Sequence, residues 1–247
     1  MYLCSMNIQY IAGLFDAEGY IRLTPKGGVD TKIEMTDLEC IKYYADFFKL
    51  EIFQQDRGSN RKLIYHCRTS KHHKTREVLT AMLPYLNEKY FQAKCVLMYL
   101  NGGNLHVCHQ AFEHYKHHNA IINKPSLSYL GGLIDGDGWA SLQSTKTHGI
   151  QLAMGLKQCY AAMPTWLHTQ YGGHISTALS KNTAHRDLTE WKISKEKSLA
   201  LIATLKPFVI RNKKKIELIE RYYSTSKEME KNRVEALEKI CNEYSTI

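Results

Sequence analysis

The sequence predicts a mixed α+β fold made of two similar halves, and three observations lead to this prediction. A short motif occurs twice, at residues 10–21 and 129–140. Each copy runs directly into residues that alternate between apolar and polar, which is the pattern of a half-buried strand. A second matching pair, residues 83–86 and 206–209, precedes a helical pattern in each half. Such a repeat predicts two copies of one structural unit arranged about an approximate two-fold axis.

The two motif copies align without a gap, as YIAGLFDAEGYI and YLGGLIDGDGWA. The matched pairs are Tyr10 and Tyr129, Gly13 and Gly132, Leu14 and Leu133, Asp16 and Asp135, Glu18 and Asp137, and Gly19 and Gly138. Both copies are predicted to be helices, capped by Asn7 or Ser5 in the first half and by Ser126 in the second. Small residues around Gly13 and Gly132 would let the two helix backbones approach closely, so we expect the motif helices to pack together.

The remaining elements are predicted in the same order in each half: two strands, a helix, two strands and further helices, and the pattern locates three of the four strands. In the first half, helices are predicted at 37–49, 71–82 and 88–100, and strands at 20–24, 51–56 and 62–69. In the second half, helices are predicted at 159–171, 195–205 and 213–224, and strands at 139–143, 174–178 and 186–193. Gly, Asn and Pro punctuate both ends of residues 101–126, which indicates a linker with a short helix at 105–119. The predicted division is 1–100, 101–126 and 127–247, with a C-terminal helix at 226–244.

Composition narrows the class of protein. The 247 residues are 44% apolar, which is enough for one large domain or two compact halves. Lys and Arg number 33 against 24 Asp and Glu, and the resulting charge of +9 is typical of proteins that bind nucleic acid. No apolar run approaches the roughly 18 residues that span a bilayer, and no secretory signal pattern is present. Seven scattered cysteines without a CxxC pair indicate a reducing compartment, so we expect an intracellular protein of an organelle (mitochondrion or chloroplast) or of a prokaryotic cytoplasm.

Each motif places two acids in the last turn of its helix, where the helix dipole is already negative. The acids are Asp16, Glu18, Asp135 and Asp137, and a glycine follows the second acid of each pair. A local rule broken twice in the same place indicates function rather than solvated loop acids. A hard divalent cation such as Mg²⁺ would relieve the repulsion between carboxylates brought together near the axis.

The segments IAGLFDAEG (11–19) and LGGLIDGDG (130–138) resemble the two motifs of a single-chain LAGLIDADG homing endonuclease. The second copy departs from the consensus letters only by small-residue swaps, and the resemblance covers nearly the whole chain. It implies two pseudo-symmetric αββαββα halves, a saddle of antiparallel sheets, and motif helices at the central interface. It also implies an intron-encoded, monomeric, site-specific endonuclease of double-stranded DNA.

The resemblance further implies which residues carry the chemistry. Glu18 and Asp137, the acids before the final motif glycines, would each bind a divalent cation beside a scissile phosphate. The backbone carbonyls of Ala17 and Gly136 are implied as additional ligands. The implied metal is Mg²⁺ or another divalent cation such as Mn²⁺, with no organic cofactor. Hydrolysis by metal-activated water would leave short 3′ overhangs.

Supporting residues follow from the same resemblance. Lys89 occupies the family's position for a lysine that stabilises the charge of the phosphorane. The matching position in the second half is Asn212, so this half departs from the pattern, and Arg211 or Lys213 would substitute. An ordinary solvated helix lysine is the alternative for Lys89 and Lys213. The candidates for positioning the attacking water are Asp37 in the first half and Lys157 or Gln158 in the second.

Alternating strand positions predict a DNA-facing surface of polar residues, because successive side chains point to opposite faces of a sheet. The outward set is Arg22, Thr24, Lys26, Glu34, Arg57, Lys62, His66 and Arg68 in the first half, and Ser141, Gln143, Thr145, Arg186 and Lys192 in the second. The inward set is Ile21, Leu23, Ile33, Leu63, Tyr65, Leu142, Trp191 and Ile193. Arginine and glutamine are suited to reading guanine and adenine. Since the two outward sets differ, we expect a long and only loosely palindromic target.

Two other functions share these features. One is an intron RNA maturase of the same fold, and the other is a DNA-binding relative that has lost catalysis. Retained acids in both motifs argue against the second. The linker histidines suggest zinc at first sight, but their spacing fits no structural zinc pattern, and phosphate-facing or solvated histidines are the better interpretation. They are His106, His109, His114, His117 and His118.

Overall fold

The structure is a computed structural model that describes residues 7–58, 61–116, 120–145, 149–179 and 187–228. The chain divides into two compact units, the first ending at Gly136 and the second beginning at Asp137. In the described part of the chain, no helix has both the length and the apolar character that a membrane crossing requires.

The first unit combines helices with one four-stranded antiparallel sheet. Its helices are α1 (Ile8–Glu18), α2 (Leu38–Phe48), α3 (His72–Met82), α4 (Tyr90–Leu100), α5 (Leu105–Tyr115) and α6 (Leu127–Gly136). Its strands are β1 (Gly19–Leu23), β2 (Val29–Met35), β3 (Ile52–Gln55) and β4 (Ile64–Thr69). The strand order is β1-β2-β4-β3, and every pairing is antiparallel.

The second unit repeats this arrangement. Its strands are β5 (Gly138–Thr145), β6 (Gly149–Gln158), β7 (His174–Ala178) and β8 (Leu188–Ser194), in the order β5-β6-β8-β7. Its helices are α7 (Ala162–Tyr171), α8 (Lys195–Leu205) and α9 (Lys213–Glu228), with a short 3₁₀ turn at Lys206–Phe208. The shared strand order confirms the mixed α+β fold and the duplication that the sequence predicts.

The two motif helices, α1 and α6, pack against each other within the first unit. A Cβ added to Gly13 would lie 1.9 Å from the carbonyl oxygen of Tyr129, and one added to Gly132 would lie 2.0 Å from that of Tyr10. Both distances are far below van der Waals contact, so each crossing point accepts glycine alone. The close approach predicted from the small residues is therefore confirmed, and it is nearly symmetric.

The predicted helix starts are also present. The side chain of Asn7 accepts the N–H of Gln9 at 2.8 Å at the start of α1. The hydroxyl of Ser126 accepts the N–H of Tyr129 at 3.2 Å at the start of α6. These bonds satisfy N–H groups that have no partner inside the helix. The same Ser126 hydroxyl donates to Oε1 of Gln9 at 2.7 Å, which joins the two helix starts.

Several predicted boundaries differ from the observed ones. Leu63 was expected to face inward but is 42% exposed, because β4 begins at Ile64, two residues after the predicted start, and its pleat does not extend to Leu63. The linker helix α5 ends at Tyr115 instead of 119. The first compact unit extends to Gly136 and includes α6, since α6 packs on α1. Most of the predicted helix at 226–244 lies outside the described residues.

Candidate active site

The first acid of each motif is buried in the helix crossing. Asp16 and Asp135 are both fully buried, with no exposed side-chain surface. Each accepts a hydrogen bond from a tyrosine of the other helix: Tyr129 Oη donates to Asp16 Oδ2 at 2.7 Å, and Tyr10 Oη donates to Asp135 Oδ2 at 2.8 Å. Burial, together with the neighbouring carboxylate, raises the pKa of both phenols well above the ordinary value, which keeps them protonated as donors. These acids therefore join the helices.

Asp16 also organises the segment that leads into α4. Its Oδ2 accepts the N–H of Asn87 at 2.7 Å, and its Oδ1 accepts the N–H of Lys89 at 2.9 Å. Burial raises the pKa of the Asp16 carboxyl, and the charge of Lys89 and these N–H groups offset part of that effect. The buried carboxylate thus has donors on both oxygens, as a buried polar group requires.

Lys89 lies at the end of α1. It is the residue directly before α4, and its ammonium donates to the backbone carbonyl of Asp16. A cation at this point is favourable because the carbonyls of the last helical turn carry partial negative charge. The Lys89 ammonium is consequently held on the carbonyl of Asp16, the residue two positions before Glu18. The structure therefore places this predicted residue beside the motif end.

Glu18 is the last residue of α1 and is half-buried. Gly19 follows it, and a Cβ at Gly19 would lie 2.3 Å from the carbonyl oxygen of Phe15. The N–H of Gly19 donates to that same carbonyl and ends the helix. The direct passage from helix to strand therefore depends on glycine, and it holds Glu18 at the junction.

The ends of the two motif helices meet at Ala17 and Gly136. A Cβ added to Gly136 would lie 2.3 Å from Cβ of Ala17 and 3.1 Å from Cγ of Glu18. The structure therefore brings together the two residues whose carbonyls the resemblance implies as metal ligands. Glu18 therefore lies against Gly136, the residue that directly precedes Asp137 in the chain.

In the second unit, Asp137 is half-buried between the end of α6 and the start of β5. Gln158, the last residue of β6, donates from Nε2 to Asp137 Oδ2 at 2.9 Å. Gln158 is itself buried, and its Oε1 has no hydrogen-bond partner among the described residues. The structure brings together the predicted acid and one of its two predicted water-positioning residues. Lys157, the other candidate, is exposed.

The groups at these positions fit a hard divalent cation. Carboxylate and carbonyl oxygens are the ligands that Mg²⁺ and Ca²⁺ prefer. The buried, unpartnered Oε1 of Gln158 is the kind of acceptor that an ordered water satisfies in a native protein. Across the residues described, no cluster of three or more His, Cys, Asp or Glu side chains forms a metal site. The fit therefore rests on one acid per motif together with backbone and amide oxygens.

The other predicted catalytic residues occupy less specific positions. Asp37 caps α2 by accepting the N–H of Cys40 at 2.9 Å, so helix capping accounts for this carboxylate. Asn212 is buried and its carbonyl accepts the N–H of Ile216 at the start of α9. Lys213 and Arg211 beside it are exposed. Asn212 therefore precedes α9 as Lys89 precedes α4, which supports the alignment of the two halves.

Half of the predicted DNA-facing residues of the first half lie on the outer face of the first sheet, namely Arg22, Glu34, His66 and Arg68, and the other half lie in segments next to its strands, namely Thr24, Lys26, Arg57 and Lys62. Five are exposed and three are half-buried; the exposed ones are Arg22, Lys26, Arg57, Lys62 and Arg68, and the half-buried ones are Thr24, Glu34 and His66. The sequence pattern did not predict that two acids on this face form ion pairs with its Arg and Lys side chains. Asp30 pairs with Arg22 and Arg68, and Glu34 pairs with Lys32 and Arg57. The hydrogen bond from Lys32 is the first reason that the pKa of Glu34 is lowered.

Aromatic side chains on the same face were missed by the sequence pattern. Tyr20 and Phe53 are about half exposed, and Phe53 stacks on His66 with ring centroids 5.5 Å apart. Their places in the predicted strands 20–24 and 51–56, on the same parity as Arg22 and Arg57, were the sequence signal that could have found them. They add apolar surface of the kind that contacts base edges and methyl groups.

The second sheet is less completely described. The ammonium of Lys192 lies 5.7 Å from the ring centroid of Trp139, on the predicted outer face. Ser141 is half-buried, and its hydroxyl oxygen is buried instead of facing solvent as expected. Leu142 packs against the cluster of Leu218 and Tyr222 under the sheet. Arg186 and the side chains of Gln143 and Thr145 lie outside what the structure describes, as do His117 and His118.

Comparison with models of protein families finds no match, and comparison with curated protein sequences finds none either. Solved structures do match over nearly the full length. The LAGLIDADG meganuclease I-CpaMI bound to uncleaved DNA superimposes with a TM-score of 0.69 at 12% identity, covering 97% of this chain and 98% of that one. I-AabMI, also a LAGLIDADG meganuclease bound to uncleaved DNA, gives 0.65 at 16% identity, with 96% and 98% covered.

A third solved structure extends the likeness to a product complex. The LAGLIDADG homing endonuclease I-SmaMI bound to cleaved DNA gives a TM-score of 0.62 at 15% identity, and 95% of each chain is covered. I-SmaMI has also been solved on uncleaved DNA in the presence of calcium ions. Identities this low establish the architecture and leave the chemistry to the residues themselves. This chain therefore has the fold of the LAGLIDADG homing endonucleases.

Proposed function

We propose that this chain is a site-specific endonuclease that hydrolyses both strands of a DNA duplex, using Glu18 for one strand and Asp137 for the other. The observation that carries the proposal is the hydrogen bond between Gln158 and Asp137. It joins a motif acid to a buried amide whose Oε1 has no hydrogen-bond partner among the described residues. A carboxylate in a solvated loop is hydrogen-bonded by water, whereas Asp137 is hydrogen-bonded by a buried glutamine at the end of a neighbouring strand.

The residues divide the reaction between them. Glu18, Asp137 and the carbonyls of Ala17 and Gly136 would hold Mg²⁺ or Mn²⁺, which supplies Lewis-acid activation of water and charge stabilisation at the phosphate. Gln158 would orient the attacking water in the second half through its amide. Lys89 would add positive charge near the phosphate in the first half, where charge develops as the phosphorus–oxygen bond breaks. Asp37 stays a weaker candidate for the water-positioning role, because it already caps α2.

A metal-dependent nuclease of this kind would need a surface that places the duplex. The outward residues of the first half fit that role through exposed Arg and Lys side chains, and the overall charge of +9 favours a polyanion. The structures with the same fold are described as bound to DNA. We propose a long, loosely palindromic target and a monomeric enzyme, because the two sheets present different side chains.

The proposal is tested by a cleavage screen on a library of duplexes with randomised sequence, with Mg²⁺ and in parallel with Mn²⁺, mapping cuts on both strands. We expect a small set of cleaved sequences with short 3′ overhangs. Glu18→Gln and Asp137→Asn should each lower cutting of one strand by roughly 1000-fold while the other strand is still nicked. Cutting of both strands by the double variant would rule out these roles.

The same variants separate the alternatives. A DNA-binding relative without catalysis would select sequences from the library and cut none of them. An RNA maturase would bind its intron RNA with equal affinity in the Glu18→Gln and Asp137→Asn variants, and would show no sequence preference for duplex DNA. Binding measurements on duplex DNA and on structured RNA therefore complete the experiment.

A further inference from the structure

The outer face of the first sheet holds a carboxylate that is almost completely buried between two arginines. The side chain of Asp30, on β2, is 4% exposed, whereas those of Arg22 and Arg68 are 44% and 48% exposed. Arg68 donates from Nε to Oδ1 of Asp30 at 2.9 Å, and its Nη2 lies 2.6 Å from Oδ2. Nη2 of Arg22 lies 3.4 Å from the same Oδ2. Asp30 is thus engaged by both of its oxygens.

The strand register explains why one acid reaches both arginines. Arg22 on β1 lies directly opposite Asp30 on β2. On the other side, Thr31 pairs with Thr69 of β4, so Arg68 is the diagonal neighbour of Asp30. Cross-strand neighbours at these positions are close enough for long side chains to interact. Asp30 therefore connects the three strands β1, β2 and β4 across one face of the sheet.

The geometry has a consequence for the two arginines. A free arginine on a sheet surface samples many rotamers and binds any phosphate that approaches it. The two-point contact with Asp30 fixes the plane of the Arg68 guanidinium, and fixed donors lose less entropy when they bind a ligand. An exposed ion pair would be too weak to do this. Here the buried carboxylate makes breaking the contact costly, because it would leave a buried charge unpaired.

We propose that Asp30 is a specificity-determining positioning residue, which holds Arg22 and Arg68 so that they read base edges and keeps them from binding phosphates indiscriminately. This inference rests on the proposed function of the chain. The ligand chemistry is the pair of acceptors that guanine presents in the major groove, for which a fixed guanidinium is suited. Asp30 itself does not touch DNA in this role. Its negative charge also lowers the attraction of this face for phosphate in general.

The test is selection of bound sequences from a randomised duplex library by the full chain, with Ca²⁺ as the probe metal. Asp30→Asn keeps the shape of the side chain and removes its charge. We expect preference to fall roughly tenfold at the one or two base pairs that face Arg22 and Arg68. Affinity for unrelated duplexes should rise at the same time, and it should depend more steeply on salt, because two cations are released to bind phosphate. A merely structural role for Asp30 would not give opposite changes in specificity and non-specific affinity.

Two further variants make the result specific. Glu34→Gln removes the other carboxylate of this face and changes the net charge equally, but it releases Lys32 and Arg57. It should alter different base pairs from those altered by Asp30→Asn. Arg68→Lys keeps the charge and loses the two-point contact, so it should weaken the same base pairs as Asp30→Asn. Asp30→Ser, a smaller uncharged replacement, carries the test of Asp30 if Asp30→Asn fails to fold.

The outcomes are distinct from those for the proposed function. If the unaltered chain selects no sequence, site-specific DNA recognition fails and the proposed function fails with it. If the unaltered chain selects a sequence and folded Asp30→Asn selects it with the same base preferences, the role of Asp30 is overturned and the proposed function stands. Loss of preference spread evenly over the target, equal in Asp30→Asn and Glu34→Gln, overturns it as well.

Discussion

The crossing of the two motif helices is almost symmetric, whereas the two helix ends are not. At the crossing, a Cβ added to Gly13 or Gly132 would lie at nearly the same distance from the carbonyl oxygen of the facing Tyr129 or Tyr10. The tyrosine–aspartate hydrogen bonds also agree, at 2.7 and 2.8 Å. At the ends, the first motif has Glu18, with the Lys89 ammonium on the Asp16 carbonyl, whereas the second motif has Asp137, which accepts a hydrogen bond from Gln158.

The difference shows which constraints act on each region. Two helix backbones in contact permit only one arrangement of small residues, so any change at one glycine requires a response from the other helix. The helix ends instead carry single side-chain contacts, from Lys89 to the Asp16 carbonyl and from Gln158 to Asp137, and these can change one at a time. A duplicated chain thus keeps its crossing and diversifies its ends. We therefore expect unequal cleavage rates for the two DNA strands, and equal nicking kinetics would contradict this.

The largest effect is expected from breaking the crossing. Gly13→Val would place its Cβ 1.9 Å from the Tyr129 carbonyl oxygen, and neither backbone can move without disrupting the core. We expect loss of the folded protein, measured by circular dichroism and gel filtration. Ala203→Val, at an exposed position of α8, is the matched control and should cost only about 0.6 kcal/mol from helix propensity. A stable, monodisperse Gly13→Val protein would disprove the tight packing.

The next largest effect is expected from replacing the lysine at one helix end, and it tests how the two ends differ. Lys89→Met should slow cutting of the strand served by Glu18 by about 100-fold, because it removes positive charge from that end. Lys213→Met should have an effect of less than about threefold, since Lys213 is an exposed helix residue. Single-turnover nicking of each strand, with end-labelled duplexes, measures both. Equal losses from the two substitutions would mean that Lys213 replaces the missing lysine.

A third comparison separates catalysis from folding. Gln158→Ala should slow cutting of one strand by roughly tenfold to 100-fold, since it removes the amide bonded to Asp137. Asp37→Ala should mainly lower stability, by about 1 kcal/mol, because it removes the cap of α2. Thermal unfolding and cleavage rates are measured on the same samples. A tenfold rate loss in Asp37→Ala at full stability would restore Asp37 as a catalytic residue.

The smallest effect tests the symmetry of the crossing itself. Tyr10→Phe and Tyr129→Phe each remove one hydroxyl from a buried aspartate, and each should lower the free energy of unfolding by about 1–3 kcal/mol. The two losses should agree within the error of urea unfolding. A much larger loss in Tyr129→Phe would show that Asp16, which also holds the Asn87–Lys89 segment, depends more heavily on its tyrosine.

The sequence was sufficient for the features that follow from periodicity and repetition. The motif helices, their caps and the succession of helices and strands along each half depend on local patterns, and the duplication shows each pattern twice. Periodicity and repetition alone do not separate the two acids of each motif, and only the family resemblance singles out Glu18 and Asp137. Residues two apart on a helix point in different directions, so Asp16 enters the crossing while Glu18 stays at the end.

What the sequence missed depends on register between strands distant in the chain. Asp30 lies between Arg22 and Arg68 only because β1, β2 and β4 align in one way. Alternation alone assigned the two arginines to the outer face and gave Asp30 no role. Leu63 was misplaced for a related reason, since alternation does not tell where a strand begins. Sequence patterns therefore identify the face of a sheet more securely than the partners on it.

The interchangeable contacts at the crossing also bear on how such chains arise and can be recombined. Each motif offers a tyrosine, a glycine and a buried aspartate at the same three positions, and it receives the same three from its neighbour. A helix of this kind is complementary to a copy of itself. A self-pairing ancestor, a fused duplicate and a chimera of two unrelated halves could all use this helix contact unchanged. New combinations of the two sheets would come from exchanging halves at the linker.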